Sequence, residues 1–288
     1  MYISNFASVN YMKICFVVSE TDVAGMNMFE HIKDSFTVIS GILTHKTDYA
    51  TYELHTISGE SIHAENIENR LDANLLIFLT KHASKSGIAS YSTHTQGNWD
   101  TNEYGGNPQE VAPCPVVLKD LFFHEMKSFN PEYEVVQEVT HHGPSVTVPS
   151  VFVEIGSAHD QWKDPKNGEF MKNVILTVIN SYVGENTDKP VYMGLGGQHT
   201  CTNYERLVSS NDIIIGHVCP TRAITSITHK TILHAVKQHT IHPTILLDWK
   251  SMKGPDKKHI LAELELAGLP YVRLDHLKKE IDASKQEL

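Results

Sequence analysis

The sequence predicts an α/β protein, folded as a three-layer α/β/α sandwich with a mixed, mostly parallel sheet. Short apolar runs rich in β-branched residues recur along the 288 residues, and the clearest are 12–19 (MKICFVVS) and 74–80 (NLLIFLT). Amphipathic stretches of helical length, such as 166–182, lie between many of these runs. Strands that alternate with helices are typical of a sheet covered by helices.

The individual elements follow in order from these patterns and from residues that begin helices. Asp22 and Pro115 stand where the first two helices would start. The predicted strands are 12–19, 36–44, 49–57, 74–80, 88–95, 133–139, 148–155, 190–195, 212–218, 244–248 and 271–274. The predicted helices are 23–34, 115–129, 166–182, 223–239 and 255–267, and the polar segment 96–114 is predicted to be a loop.

These elements predict one domain over 1–288, or two closely packed halves. A loose leader at 1–11 and a charged, frayed tail at 276–288 are expected to be peripheral. The runs 133–139 and 148–155 are too close for a helical crossover, so the sheet is mixed there or the second strand begins later. A simple antiparallel hairpin would put Glu154 at the opposite edge from His142 and would weaken the case for one site.

Composition limits the possible functions. The net charge of -10 argues against a general nucleic-acid coat, which needs a basic face, but allows a local patch that grips one RNA end. The four cysteines are scattered, without a C-x-x-C pair, which indicates reduced thiols and a cytoplasmic protein. We expect no signal peptide and no membrane span, because no apolar run approaches about 20 residues.

Histidines at the ends of predicted strands mark the candidate site. In open α/β sheets, ligands bind outside the carboxyl ends of strands, and nearby glycines let backbone N–H groups approach an anion. Imidazole can bind Zn²⁺, transfer a proton or hydrogen-bond a phosphate, and Glu154 can be a ligand, a base or the partner that orients a histidine. The histidines in question are His82, His94, His141, His142 and His199.

Hydrolysis by a water that a metal or a histidine activates is the reaction these residues suit best. The sequence contains no H-E-x-x-H, Cys-based zinc, G-x-S-x-G or phosphate-loop pattern. The residues alone also allow histidines that serve only as structural hydrogen-bonding groups, with the pair at 141–142 in a plain turn.

Short segments in order over roughly 12–220 carry a resemblance to a known family. T-H-H-G-P at 140–144 and E-I-G-S at 154–157 are the specific ones. The others include Asp22-x-Ala24-x-x-Asn27, Lys81-His82-x-Ser84, His94-Thr95-x-Gly97-Asn98-Trp99, Gly105-Gly106-x-Pro108, Trp162-x-Asp164 and Gly194-x-Gly196-Gly197-x-His199. Together they resemble the D-aminoacyl-tRNA deacylases of the archaeal and plant type. The chain departs from the family at Lys81 and Ala83, where Arg and Ser are usual, and at 200–202, where Tyr-Ala-Pro is usual.

The resemblance implies hydrolysis of the ester between a D-amino acid and the tRNA 3′ end, on a fold similar to nucleoside phosphorylases and peptidyl-tRNA hydrolases. It implies Zn²⁺ as cofactor and tRNA as partner. We expect a monomer, because no obligate protein partner is evident from the sequence. The expected metal ligands are drawn from His82, His94, His141, His142, Glu154 and His199, and the expected catalytic residues are His141, His142 and Glu154. The expected substrate-binding residues are Lys81, Ser84, Lys85, Asn98, Gly143, Pro144, Gly156, Ser157, Gly196 and Gly197.

Two finer hypotheses concern the substrate. The basic patch for tRNA is predicted at Lys81 and Lys85, with Lys163 and Lys166 as a second cluster, because the chain as a whole is acidic. The rigid Gly143-Pro144 backbone is a candidate wall against L-amino acids, so that Gly143→Ala would change the D-to-L ratio more than stability.

Two other functions stay open at this point. One is a metal-dependent amidase or peptidase on a similar fold, and the other is a non-catalytic protein that binds a nucleotide or an RNA end.

Overall fold

The computed structural model describes residues 12–286, so the predicted leader and the last two residues of the tail lie outside the described part of the chain. Within this range the strands are β1 (Met12–Ser19), β2 (Thr37–Ile39), β3 (Ile42–Lys46), β4 (Ala50–Ile57), β5 (Leu75–Ala83), β6 (Ser90–His94), β7 (Glu134–Gln137), β8 (Ser150–Ser157), β9 (Val191–Leu195), β10 (Ile214–Cys219), β11 (Thr244–Leu247) and β12 (Tyr271–Arg273). The α-helices are α1 (Val23–Ile32), α2 (Ile67–Leu71), α3 (Val116–Ser128), α4 (His159–Lys163), α5 (Pro165–Ser181), α6 (Thr202–Ser209), α7 (His229–Lys237), α8 (Gly254–Ala267) and α9 (Leu274–Gln286).

The strands form two sheets. The larger has the order β2-β3-β4-β1-β5-β8-β6-β7, and the smaller has the order β10-β9-β11-β12. Neighbouring strands are antiparallel at β2–β3, β3–β4 and β6–β8 and parallel at the other described pairs. The predicted α/β class with a mixed, mostly parallel sheet is therefore confirmed.

Helices cover one face of the larger sheet, and the other face carries a smaller core. Side chains alternate along a strand, so Ile14 and Phe16 fall on different faces from Cys15 and Val17. The first pair belongs to the main core, to which α1, α3 and α5 contribute, and the second pair belongs to the smaller core on the opposite face. Helix α3 also contacts β10, so it connects the two sheets.

The order of strands removes the conflict between the predicted strands at 133–139 and 148–155. Strands β7 and β8 are not neighbours, because β6 lies between them, parallel to β7 and antiparallel to β8. Glu154 consequently lies within the interior of the sheet, paired with Thr80 of β5 on one side and Ser92 of β6 on the other.

Several predicted boundaries are wrong. The strand predicted at 36–44 is a hairpin of β2 and β3, with Ser40 and Gly41 at positive φ in the turn. The helix predicted at 223–239 begins only at His229. The tail is packed as well as helical, since Leu274 and Leu277 are buried in the main core. Among the described residues, no helix has the length and apolar character needed to cross a membrane.

Candidate active site

Three neighbouring strands place the first site residues on one face of the larger sheet. His82 on β5, Glu154 on β8 and His94 on β6 share this face because of the register of the strands. The Nδ1 atom of His82 is 3.6 Å from Oε2 of Glu154, and Nε2 of His94 is 3.8 Å from Oε1. The site thus lies on one face of the sheet. His82 and His94 lie at the ends of their strands, as the sequence predicts, and Glu154 lies three residues before the end of β8.

The Glu154 carboxylate is held by two hydroxyl groups from its neighbours on the sheet. Thr80 Oγ1 donates to Oε1 over 2.8 Å, and Ser92 Oγ donates to Oε2 over 3.1 Å. Burial raises the pKa of a carboxylate, but the close histidines His82 and His94 outweigh this and hold the pKa of Glu154 below its usual range. Glu154 is therefore an oriented anion.

Glu138 is the residue that the sequence prediction missed. It follows β7, and its backbone N–H donates to Thr93 O over 3.1 Å. Its fully buried carboxylate lies 3.0 Å from Nδ1 of His82, 2.7 Å from Nε2 of His199 and 3.7 Å from Nε2 of His141. An acidic residue in a buried, strand-like run needs a partner for its charge. The position of Glu138 in such a run, close to the histidine pair, is the signal that the sequence offered.

His82 lies between the two carboxylates. Burial disfavours its charged form, but close contacts with Glu138 and then Glu154 raise the pKa of His82 to about 10. A Cβ added to Gly156 would come within 2.8 Å of His82 Cδ2, so the glycine provides the space for this ring. The protein without metal therefore holds a positive charge between two negative ones.

His141 and His142 have fixed tautomers. The Nδ1–H of His141 donates to Val139 O over 2.8 Å, and that of His142 donates to Gly143 O over 2.6 Å, because a carbonyl can only accept. Each ring therefore keeps the lone pair on Nε2. Burial and then neighbouring histidines lower the pKa of both residues, to about 4 for His142. Both are neutral imidazoles, the form that ligates metal.

The segment that carries these histidines is fixed between the two sheets. The N–H of Val139 donates to His199 O over 2.8 Å, and that of Thr140 donates to Val218 O over 3.0 Å. His199 follows β9 of the smaller sheet, so its side chain reaches Glu138 from the opposite side. We call this set the histidine–carboxylate cluster: His82, His94, His141, His142, His199, Glu138 and Glu154.

The cluster fits a metal ion. Both ring nitrogens of His94 are buried without a hydrogen-bond partner among the described residues, which is costly unless something binds them. Three triads bring one possible ligand atom from each residue within 4.8 Å of the others. They are His94-His141-His142, His82-Glu138-His199 and His94-Glu138-Glu154. Imidazole and carboxylate are donors that suit Zn²⁺.

A cavity of about 670 Å³ opens onto the cluster. Its size is suited to a nucleoside with a small attached group. Besides cluster residues and Phe152, the lining contains Trp99, Tyr104 and Arg222.

The match to known proteins decides the family. A family model described as D-aminoacyl-tRNA deacylase matches residues 69–272. This chain belongs to the D-aminoacyl-tRNA deacylase family. The D-aminoacyl-tRNA deacylase of Methanocaldococcus jannaschii is 32% identical over 275 residues, covering 91% of this chain and 100% of the relative. That of Methanococcus maripaludis (strain C7) is 32% identical over 257 residues, covering 86% and 94%.

A solved structure supports the fold of this family member. The crystal structure of a conserved protein of unknown function, AF0625, superposes with a TM-score of 0.81 and 26% sequence identity, covering 94% of this chain and 98% of that one. The resemblance inferred from T-H-H-G-P and E-I-G-S is thus confirmed at the level of the family.

The structure brings some of the predicted residues to the cavity and leaves others away from it. Lining residues from the prediction are Lys81, His82, Asn98, His141, His142, Glu154 and His199. His94 lies in the cluster but outside the cavity lining. Predicted residues outside the lining are Ser84, Lys85, Gly143, Pro144, Gly156, Ser157, Gly196 and Gly197.

Gly143 has a packing role. A Cβ there would lie 2.4 Å from Gly106 N and 2.5 Å from Ile62 O, so the 105–106 backbone packs directly against it. Gly143→Ala should therefore lower stability, and the prediction that it changes the D-to-L ratio by more than this stays a prediction. In the second lysine cluster, Lys163 Nζ lies 2.9 Å from Asp160 Oδ1 on the exposed surface, and a role for this cluster in tRNA binding stays a prediction.

Proposed function

We propose that this protein hydrolyses the ester bond of D-aminoacyl-tRNA and releases the free D-amino acid and tRNA. The observation that carries the proposal is the histidine–carboxylate cluster at the cavity of a member of this family. An ester at the 3′ end of tRNA is exposed and easily hydrolysed, so a positioned water and groups that stabilise the developing negative charge are sufficient.

We further propose that the cluster holds Zn²⁺. The neutral imidazoles of His141 and His142, with His94 beside them, suit one ion, and the triad of His82, Glu138 and His199 suits a second position. When bound, Zn²⁺ lowers the pKa of water towards neutrality and polarises an ester carbonyl. The backbone carbonyls of Val139 and Gly143 keep the two imidazoles in the required tautomer.

The carboxylates have separate roles in this proposal. Glu154, fixed by Thr80 and Ser92, orients His82 and His94. Glu138 holds a proton on Nδ1 of His82 at one oxygen and faces His199 at the other. Both acids remain ionised at neutral pH, since the pKa of each is held below its usual range.

A deacylation assay tests the function. The same tRNA is charged with the D- and the L-form of one amino acid, and amino-acid release is followed with and without the protein. We expect rapid release from the D-ester and little from the L-ester. Hydrolysis of both forms at equal rates would contradict chiral proofreading, and release from neither would contradict the deacylase. Release of amines from small amides would instead favour the amidase.

Removal of metal tests the cofactor in the same assay. A chelator should abolish release of the D-amino acid, and added Zn²⁺ should restore it. Full activity in protein shown by elemental analysis to be free of metal would leave a histidine as the base and would contradict the zinc proposal.

A further inference from the structure

The walls of the cavity carry more negative than positive charge. Beyond Glu154 of the cluster, the lining contains Asp22, Glu60, Asp100 and Glu103. Its side chains with an ordinary positive charge at neutral pH are Lys81 and Arg222. The RNA 3′ end carries a negative charge at every phosphate, so this cavity offers few positions in which a phosphate is stabilised.

The charge of Lys81 already has a partner. Its Nζ lies 3.6 Å from Oδ2 of Asp22, and the same oxygen accepts the backbone N–H of Lys81 over 3.0 Å. The other oxygen of Asp22 accepts the N–H of Gly25 over 2.9 Å at the start of α1. This carboxylate is thus fixed in place beside Lys81 and offsets much of its attraction for an anion.

Arg222 is different. It is exposed, and within residues 12–286 no carboxylate oxygen lies within 4.0 Å of its guanidinium nitrogens. It lies on a 3₁₀ turn after β10, and Thr221 fixes that turn. Gly197 N donates to Thr221 Oγ1 over 2.8 Å, Thr221 N donates to Gly197 O over 3.0 Å, and Thr221 Oγ1 donates to Ser251 Oγ over 2.9 Å.

We propose that Arg222 binds a phosphate of the 3′-terminal nucleotides of tRNA and so positions the ester at the cluster. The inference rests on the proposed deacylase function. A guanidinium offers several N–H donors in a planar fork that matches two phosphate oxygens, and the fixed turn limits the entropy lost on binding. Lys85, nominated from the sequence for this role, does not line the cavity.

Two substrates that differ in their phosphates test the inference. One is D-aminoacyl-tRNA, and the other is the 3′-ester of the same D-amino acid with adenosine, which has no phosphate. For Arg222→Gln we expect KM for the tRNA substrate to rise about 10- to 100-fold, the value of one charge-assisted contact. The kcat for this substrate and kcat/KM for the adenosine ester should be unchanged, and Arg222→Lys should recover part of the affinity.

Salt dependence and a matched variant provide the controls. The slope of log affinity against log salt should fall by about 0.7 in Arg222→Gln, as expected when one contact to a single strand is lost. Arg70→Gln makes the same charge change at an exposed position of α2, outside the cavity lining, and should leave KM unchanged.

The outcomes separate this inference from the proposed function. Equal effects of Arg222→Gln on both substrates, or none on either, would overturn the phosphate role while the deacylase function stands. If the wild-type protein hydrolyses neither ester, the deacylase proposal fails. In that case the dissociation constant of uncharged tRNA is compared between wild type and Arg222→Gln. Equal constants would overturn the role of Arg222 in binding phosphate.

Discussion

Two groups of histidines in the described part of this protein differ in how their ring nitrogens are satisfied. At the boundary with the smaller sheet, His217 Nδ1 lies 2.8 Å from Thr140 Oγ1 and its Nε2 lies 3.0 Å from Ala112 O. The neighbouring His239 donates from Nδ1 to Ala235 O and accepts the N–H of His217 at Nε2. In the cluster, by contrast, both ring nitrogens of His94 lack a hydrogen-bond partner among the described residues.

The difference shows which property marks a reactive histidine. Burial lowers the pKa of His239 to about 4, the same value as for His142, so a lowered pKa does not separate the groups. What separates them is the set of partners. His217 and His239 are fully bonded to backbone and to threonine, whereas the cluster combines free lone pairs with two buried carboxylates. The first pattern is typical of histidines with a structural role, and the second is typical of histidines at a functional site.

The largest effect is expected at Glu138, since its carboxylate contacts three histidines. Glu138→Gln keeps the size of the side chain but removes its charge, and it should lower kcat for D-aminoacyl-tRNA by about 10²- to 10⁴-fold. Glu134→Gln, on the exposed end of β7, is the matched control and should retain the wild-type rate. Circular dichroism checks that both variants fold. Near-normal turnover in Glu138→Gln would remove this carboxylate from the mechanism.

A second set of variants tests the histidine pair and Glu154. His141→Ala, His142→Ala and Glu154→Gln are each assayed at saturating tRNA. At least one of them should lose about 100-fold or more in rate while remaining folded. His276→Ala, an exposed histidine on α9, should have no effect. If all three variants keep near-full activity, the T-H-H-G-P segment is structural, as His217 is.

The smallest expected effect is a difference in protonation between two histidines of the cluster. In protein stripped of metal, His82 should stay protonated through neutral pH and lose its charge only towards pH 10, because Glu138 and Glu154 favour the cation. His142 should be neutral at any pH above about 4. The pH dependence of the ring proton resonances in NMR spectra measures both values. Titration of both rings near the ordinary value of about 6.5 would contradict the described contacts.

The sequence was sufficient for the fold class and for naming six of the seven cluster residues, all except Glu138. The alternation of apolar runs and amphipathic stretches identifies strands such as β1 and β5, because burial imposes that pattern. It does not reveal strand order, so the insertion of β6 between β7 and β8, which places Glu154 beside Ser92, came from the structure.

The omissions have physical reasons as well. Glu138 was missed because a carboxylate indicates a functional site only when its partners in space are known. One of those partners, His199, belongs to the other sheet. Arg222 was missed because exposed arginines are common and only the shared cavity connects it with Lys81. Gly143 and Gly156 were interpreted as substrate-binding glycines, whereas in the structure they provide space for neighbouring groups.

The comparison between the two groups of histidines is tested most directly by His94→Ala and His217→Ala, measured side by side. The measurement is the rate of D-amino-acid release per folded molecule, together with the free energy of unfolding in urea. The account predicts that His94→Ala folds but loses about 100-fold or more in rate. His217→Ala should lose about 1–3 kcal/mol of stability, from the partners left unsatisfied, and keep most of its activity. Full activity in His94→Ala, or a loss of activity in stably folded His217→Ala as large as that in His94→Ala, would contradict the account.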